Sequence, residues 1–449
     1  LKAILGTTKA QSKANDITVN KQGLTDEEYE EKNQLDKKKK KDLTPEEIAR
    51  LEELNKIKKL RADAISILRG ISIRMPLLIF GADIAYDEEI SLNKFVDLVD
   101  ENSWNEFMPP LVTKDVFKYF QKYYDEDVFI AAGAKIRELT KQADKLSPEE
   151  RIKQIARIFS NFKNPDKETV LTPWRVVNMH LSDTIGGWCF WDEKFENPIE
   201  KPRFVNKGNV TSYLFSNEKV RFLEINSKTG LYPLYLAYSC FKEKQKTLCI
   251  EKKLESEKKL WNDVVNDNLF IICKTPMAKT ITRRTLLGYT QGKINAHCFD
   301  DIKNIITYKP IQFHDRVLKE SFWGKGTGIM KFDAIVGNPP YQENVGSDSN
   351  SSLSKQLFPY FIKSSIELDS NYVSFITPSK WFTAEAQDKS FIQLRKFIKN
   401  NHQHFCSIYH YPNDNDVFSK VSIAGGVNYF LYDKNYTGDV QFSECYGIN

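Results

Sequence analysis

The chain of 449 residues contains no run of about 18 or more consecutive apolar residues, the length that a membrane-spanning helix requires. It begins Leu1-Lys2-Ala3, so it also lacks an initiator methionine and the charged-then-apolar layout of an export signal. These absences predict a cytoplasmic protein with no membrane partner. The missing methionine further indicates an internal piece of a longer polypeptide.

Paired cysteines are missing as well. None of the seven cysteines belongs to a C-x-x-C pair, and they are scattered from residue 189 onward. This pattern is typical of reduced thiols in a cytosolic protein and not of disulfides or a zinc site. We therefore predict no metal centre.

Neither the apolar content nor the charge of the chain is extreme. Hydrophobic residues make up 41% and aromatic residues 12%, which excludes wholesale disorder. Lys and Arg number 65 against 60 Asp and Glu, giving a formal charge of +5. That charge is compatible with a polyanionic partner but does not demand one. The length predicts two or three folding units.

The N-terminal third is charge-dense and helical in pattern. Three helix starts are marked by a hydroxyl residue with Glu three positions later: Thr25 and Glu28, Thr44 and Glu47, Ser147 and Glu150. Apolar residues at helical spacing after Thr44 predict one long amphipathic helix. Residues 71–83 are apolar and interrupted by Pro76 and Gly81, which predicts a buried strand or turn.

A helical connector or N-terminal domain is therefore predicted over residues 1–165. Its boundary is expected near 161–167, where Asn164-Pro165-Asp166 interrupts the helical pattern. The lysine run at 37–41 could contact a phosphate backbone, but a solvated linker between helices is the simpler interpretation.

From about residue 170, short β-branched and aromatic runs alternate with amphipathic stretches. The strand candidates are 220–224, 269–273, 332–336, 372–376, 407–411 and 427–432. Because helix-length segments separate several of them, the sequence predicts an α/β fold, a Rossmann-like, mostly parallel sheet, preceded by the helical domain.

The strongest local signal is Asn338-Pro339-Pro340-Tyr341, which directly follows the apolar run at 332–336. Ligands of open α/β sheets bind at such strand ends. Two prolines remove two N–H donors, so the Asn338 side-chain oxygen and the Pro339 carbonyl can both accept hydrogen bonds from one amino group. The alternative is that the motif is only a tight turn.

This arrangement suits the methylation of an exocyclic amine such as adenine N6. The lone pair of that nitrogen is delocalised into the ring, and two acceptors holding its N–H groups would direct the lone pair outward. A base inside a duplex cannot reach such a turn, so it must be flipped out and stacked, which is the role open to Tyr341.

These residues give the region from about 170 to 438 a resemblance to the N6-adenine-specific DNA methyltransferases of bacterial restriction–modification systems. The resemblance implies a class I S-adenosylmethionine methyltransferase domain over residues 166–440, S-adenosyl-L-methionine as cofactor and double-stranded DNA with a flipped adenine as partner. It also implies helicase, nuclease and target-recognition portions in the same longer polypeptide. Residues 441–449 would then begin a truncated target-recognition region.

The resemblance also assigns residues to the cofactor and the base. The cofactor positions are, in chain order, Thr172, Pro173, Glu224, Asn226, Gly230 and Asp300. The family's ribose-binding acid should fall near Cys273 or Lys274 and is absent there. Tyr429 or Phe430 would pack on the flipped adenine from the side opposite Tyr341, although either could equally be an ordinary core aromatic.

Two other functions remain open at this point. The altered cofactor loop and the missing ribose acid are compatible with a non-catalytic DNA-recognition or structural module. The NPPY motif is shared by some RNA and protein-glutamine methyltransferases, which are a second alternative.

Overall fold

The computed structural model describes residues 24–39, 42–109, 112–122, 124–162, 171–249, 253–344, 354–383, 388–418 and 423–446. The first 23 residues, the last two lysines of the 37–41 run and the expected boundary at Asn164-Pro165-Asp166 lie outside these ranges. Within them, no helix combines the length and the apolar character that crossing a bilayer requires.

The described residues up to 162 form helices. Their bounds are α1 Asp26–Lys37, α2 Pro45–Gly81, α3 Leu92–Leu98, α4 Glu101–Phe107, α5 Lys114–Gln121, α6 Glu126–Ala143 and α7 Pro148–Ser160. The hydroxyls of Thr25 and Thr44 accept hydrogen bonds from N–H groups three residues on, and the glutamates there reach back, closing two capping boxes. Ser147 caps α7 in the same way through its hydroxyl. The three predicted helix starts are confirmed.

The prediction of a strand or turn at 71–83 is wrong, because α2 continues through Pro76 to Gly81. Met75 and Leu78 are fully buried, and Arg74 is nearly so, which shows that this end of α2 is enclosed on all sides. An enclosed helix has no polar face, so its sequence cannot be told from that of a buried strand by periodicity. Burial of this segment offsets the roughly 3 kcal/mol that an internal proline costs.

The described residues from 171 onward alternate between helices and strands. The helices are α8 Trp174–Thr184, α9 Asn209–Ser216, α10 Leu231–Thr247, α11 Leu254–Asn268, α12 Pro276–Leu287, α13 Ile302–Tyr308, α14 Pro310–Val317, α15 Phe358–Glu367 and α16 Lys389–Asn400. The strands are β1 Gly187–Trp191, β2 Pro198–Val205, β3 Phe222–Ser227, β4 Leu269–Cys273, β5 Asn295–Cys298, β6 Ala334–Gly337, β7 Gln342–Asn344, β8 Ser354–Gln356, β9 Tyr372–Pro378, β10 Phe405–Tyr411, β11 Val427–Asp433 and β12 Gln441–Glu444.

Eight of these strands form the main sheet, in the order β12-β10-β11-β9-β6-β3-β4-β5. Neighbouring strands are parallel except that β11 runs antiparallel to both β9 and β10. All six predicted strands belong to this sheet, so the α/β class and the mostly parallel sheet are confirmed. The pairing of β12 with β10 carries the sheet past residue 440, where the sequence placed the end of the domain.

The two faces of the sheet are covered by two separate clusters of buried apolar residues. Ile335 and Phe375 belong to one cluster, and Val336 and Ile376 belong to the other. This alternation is expected of strands that are buried on both faces. The second cluster also contains residues of α2, α6 and α7. The helical region therefore shares a core with one face of the sheet.

Arg151 of α7 fixes the helical region to the second part of the chain. Its guanidinium donates to the main-chain oxygens of Arg284, at 3.1 Å, and Thr285, at 2.8 Å, both near the end of α12. Its Nε lies 3.4 Å from Asp144 Oδ1, and that carboxylate also accepts from the Tyr289 N–H at 2.7 Å. Both side chains of the ion pair are at most 8% exposed.

We expect Arg151→Ala to lower the free energy of unfolding by about 3–5 kcal/mol, because it leaves the buried Asp144 charge and two carbonyl oxygens without their donor. Urea unfolding would measure the change. Lys153→Ala, on the same helix but in surface ion pairs with Glu149 and Glu150, is the matched control and should cost no more than about 1 kcal/mol. Equal losses in the two variants would contradict the docking role of Arg151.

Candidate active site at the carboxyl edge of the main sheet

The Asn-Pro-Pro-Tyr motif leaves the sheet at its centre. The strand order reverses between β3 and β6, since β4 and β5 continue on one side and β9 on the other. In open α/β sheets, the ligand crevice lies at this reversal, outside the carboxyl ends of the strands. Asn338 directly follows β6 and Glu224 lies in the neighbouring β3, so the structure brings these two predicted site residues to the same crevice.

Gly337 allows the motif to approach β3 closely. Its φ is +150°, a backbone conformation that residues with a side chain rarely adopt. A Cβ at this position would lie only 3.3 Å from the main-chain oxygen of Ile225. The glycine that ends β6 therefore sets the distance between the Asn338 turn and the end of β3.

A hydrogen bond to Thr172 orients the amide of the Asn338 side chain. Nδ2 donates to Thr172 Oγ1 at 3.0 Å. The other end of the amide, Oδ1, is buried and has no hydrogen-bond partner among the described residues. A buried acceptor without a partner costs free energy, which a donor from a bound ligand would recover. The structure thus joins two predicted site residues, Thr172 and Asn338.

Tyr341 completes the motif beside Asn338. Its side chain is 8% exposed, and its ring belongs to the apolar cluster that includes the helical region. Burial raises the pKa of its hydroxyl well above the usual range, against a smaller opposing effect of the nearby Asn338 side chain, so the group stays neutral. The hydroxyl has no well-formed hydrogen bond within the described part of the chain.

Helix α8 positions Thr172, and a series of hydrogen bonds between buried side chains fixes α8 in place. His180 of α8 contacts the Tyr232 hydroxyl through Nδ1 and the Ser374 hydroxyl through Nε2, each at 2.8 Å. Ser374 donates to the Phe430 carbonyl, which assigns the imidazole proton to Nε2. Burial lowers the pKa of His180 to about 3, so the ring is neutral, and its two hydrogen bonds hold α8 in position.

Tyr232 connects this series of buried hydrogen bonds to the candidate site. Its pKa is raised well above the usual value by burial and, after that, by the neighbouring Tyr341 and Glu224. Sequence reasoning missed both His180 and Tyr232. The available signal was a histidine in the mostly apolar run 176–181, but its partners are more than 50 residues away in sequence.

Glu224 is a buried carboxyl at the crevice. It is 5% exposed, and burial raises its pKa to about 8. A hydrogen bond from Ser227 opposes this shift but is the smaller effect. Its Oε2 has no hydrogen-bond partner in the part of the chain that the structure describes. Asn226, two residues on, has φ +69° where the pairing of β3 with β4 is irregular. Strained backbone of this kind is frequent at ligand sites.

Gly230 begins α10 and lies against α12. Its φ is +72°, and a Cβ there would stand 2.9 Å from the Cα of Thr282. Thr285 of α12 donates to the main-chain oxygen of the preceding Thr229 at 2.7 Å. The predicted cofactor loop is therefore fixed by packing against α12, and this packing alone requires a glycine.

The remaining predicted cofactor residues lie at the expected ends of their elements. Pro173 is the N-cap residue of α8, next to Thr172. Asp300 is exposed and follows β5, so it lies at the carboxyl edge two strands from Glu224.

The structure places Tyr429 and Phe430 on opposite faces of β11, both buried. The Tyr429 hydroxyl donates to Asp183 Oδ2 at 2.5 Å, and its ring stacks on Tyr409 with centroids 5.2 Å apart. Phe430 packs on the ring of Phe405 with centroids 5.4 Å apart. These contacts account for both aromatic residues as core packing.

We expect the stability of the protein to fall relative to a Glu224→Gln variant as the pH rises from 5 to 8. The folded pKa of Glu224, about 8, is above the unfolded value of about 4.5, so the stabilisation is complete below pH 4.5 and is lost as the pH rises through 8. Urea unfolding at pH 5, 6.5 and 8 should show a gap that widens by roughly 2–4 kcal/mol.

The exposed Glu218→Gln, just before β3, is the matched control and should leave the pH dependence of the wild type unchanged. A constant gap between wild type and Glu224→Gln across this pH range would show that Glu224 titrates as an ordinary carboxyl.

Known proteins resemble this chain in sequence and structure. Residues 267–418 match the model of the Eco57I restriction-modification methylase family. An uncharacterized adenine-specific methylase of Mycoplasma pneumoniae is 36% identical over 119 residues, a match covering 26% of this chain and 28% of the relative.

Two solved structures are similar at 12% identity. A candidate class I S-adenosylmethionine-dependent methyltransferase of Listeria monocytogenes has a TM-score of 0.39, covering 84% of this chain and 93% of its own. The ATP-dependent Type ISP restriction-modification enzyme LlaBIII bound to DNA has a TM-score of 0.41, covering 99% and 35%. The family resemblance expected from the sequence is confirmed by the match of residues 267–418 to the Eco57I restriction-modification methylases.

Proposed function

We propose that this chain transfers a methyl group from S-adenosyl-L-methionine to the N6 amine of adenine in DNA, as the modification part of a restriction–modification enzyme. The observation that carries the proposal is the buried Asn338 Oδ1, an oriented acceptor with no partner among the described residues. The family match of residues 267–418 supports the same activity.

The residues at the crevice fit S-adenosyl-L-methionine. The buried Glu224 Oε2 has no partner in the described ranges, and a carboxyl in that state suits the ammonium group at the methionine end of this molecule. When bound, the molecule supplies a methyl group on a positively charged sulfur. The residues that would hold it are Thr172, Pro173, Glu224, Asn226, Gly230 and Asp300.

The motif then does the positioning. Asn338 Oδ1 and the Pro339 carbonyl accept from the two N–H groups of the adenine amine. Neither Pro339 nor Pro340 carries an N–H, so no backbone donor of the two prolines competes for these acceptors. Held in this way, the nitrogen lone pair points outward, and the neutral amide oxygen stabilises the positive charge that develops on the nitrogen. Positioning and electrostatics supply most of the catalysis.

The flipped base also needs a surface on which to stack, and Tyr341 is adjacent to both acceptors. A ring stabilises an extruded base by stacking, to which the hydroxyl contributes little. The partner proposed for this site is therefore double-stranded DNA with one adenine turned out of the helix.

The substrate class can be tested with radiolabelled S-adenosyl-L-methionine and three acceptors: unmethylated genomic DNA, structured RNA and a glutamine-containing protein. We expect label on the DNA, recovered after digestion as N6-methyladenine. Label on RNA or protein would replace the proposed substrate. A folded protein that neither labels DNA nor binds the methyl donor by calorimetry would be a non-catalytic module.

Asn338→Ala should lower turnover by about 10²–10³-fold, because it removes an acceptor used most strongly in the transition state. Calorimetric affinity for S-adenosyl-L-methionine should stay within about threefold of the wild type, since this residue contacts the base. Asn304→Ala, an exposed asparagine on α13, is the matched control. Unchanged turnover in Asn338→Ala would rule out this mechanism.

Tyr341→Ala should weaken the binding of DNA carrying a flipped adenine by roughly 1–3 kcal/mol, and Tyr341→Phe much less. The phenylalanine variant should also fold as stably as the wild type, because the hydroxyl it loses is buried without a well-formed hydrogen bond. Binding can be measured on duplexes in which the adenine faces an abasic site. If both variants lose affinity equally, the hydroxyl and not the ring is what matters.

A further inference from the structure

The helical region reaches the carboxyl edge of the main sheet through α4. Ser103 Oγ accepts from the Met277 N–H at 3.0 Å. Glu106 Oε2 accepts from Thr275 Oγ1 at 2.5 Å. Thr275 is the N-cap residue of α12 and directly follows Lys274 at the end of β4. Residue 106 is thus brought to a strand end nearly 170 positions away in sequence.

The hydrogen bond from Thr275 places the Glu106 carboxylate at the end of β4, beside Cys273 and Lys274. The Cys273 thiol, at the end of β4, has its pKa raised first by burial and then by several groups that include both Glu224 and Glu106. Burial lowers the pKa of Lys274, and Glu106 is the first of the charges that oppose this shift. Glu106 therefore lies on the same edge as Glu224, at the adjacent strand.

No residue of β4 or its exit turn, 269–275, is acidic. The basic Lys274 directly follows the end of the strand and is half-buried. A ligand that extends from Glu224 across the end of β4 would therefore meet a protein carboxylate only from a neighbouring element. Helix α4 supplies one in Glu106, which is 6% exposed. A carboxylate has about four lone-pair positions, so it can accept from Thr275 and from a bound ligand at the same time.

We propose that Glu106 binds the two ribose hydroxyls of S-adenosyl-L-methionine, so that the helical region completes the cofactor site. The inference rests on the proposed function. Vicinal hydroxyls offer two parallel O–H donors, which match the two oxygens of one carboxylate. The hydrogen bond from Thr275 holds the Glu106 carboxylate in place.

The test compares two ligands on three proteins by calorimetry, with the full chain throughout. The ligands are S-adenosylhomocysteine and its 2′,3′-dideoxy analogue, which lacks both ribose hydroxyls. The proteins are the wild type, Glu106→Gln and the control Glu101→Gln, an exposed glutamate on the same helix. Glutamine keeps the size of the side chain and an oxygen that can accept from Thr275, so α4 should stay docked.

We expect the wild type and Glu101→Gln to bind S-adenosylhomocysteine about 10- to 100-fold more tightly than the dideoxy analogue, because two charge-assisted hydrogen bonds are lost with the hydroxyls. In Glu106→Gln this preference should shrink to about threefold or less, while affinity for the analogue stays at the wild-type level. Unchanged analogue binding also shows that the variant is folded.

Two results would overturn the inference, and they are distinguishable. If Glu106→Gln keeps the full wild-type preference for the ribose ligand, the role of Glu106 is structural, and the proposed function stands. If the folded wild type binds neither ligand, the proposed function fails and the role of Glu106 fails with it.

Discussion

The polarity of the crevice depends on the hydrogen bond from Asn338 Nδ2 to Thr172 Oγ1. It uses the donor end of the amide within the protein and leaves the acceptor end for a ligand. The opposite orientation would present an N–H to a base amine and repel it. The polar chain through His180 and Ser374 holds α8, and α8 holds the loop that carries Thr172. The buried interior of one helix therefore sets the polarity of the site.

The fold was predictable because most strands and several helix starts have a recognisable pattern in their own local sequence. Each strand of the main sheet from β3 to β11, apart from β5, is a β-branched or aromatic run that the sequence identifies. Hydroxyl and glutamate pairs mark the starts of α1, α2 and α7. The strand or turn predicted at 71–83 is wrong because the surroundings of this segment, and not its own sequence pattern, determine that it is helical. A helix that is buried on all sides shows no periodic alternation of apolar and polar residues in its sequence.

The site was predictable only as far as its residues are contiguous in sequence. The Asn-Pro-Pro-Tyr motif and the Thr172-Pro173 pair are short motifs, and the structure joins them. The contacts of His180 with Tyr232 and of Glu106 with Thr275 depend on how distant elements pack, so no local pattern encodes them. Tyr429 and Phe430 show the converse, since an aromatic pair in a motif-like segment is explained by the core.

The docking of Arg151 has a mechanical consequence. Arg151 binds the carbonyl oxygen of Thr285, and the hydroxyl of the same Thr285 binds the carbonyl oxygen of Thr229, next to Gly230. A single residue of α12 thus stands between the helical region and the loop at the crevice. The helices that precede the sheet are therefore linked to the crevice through α12.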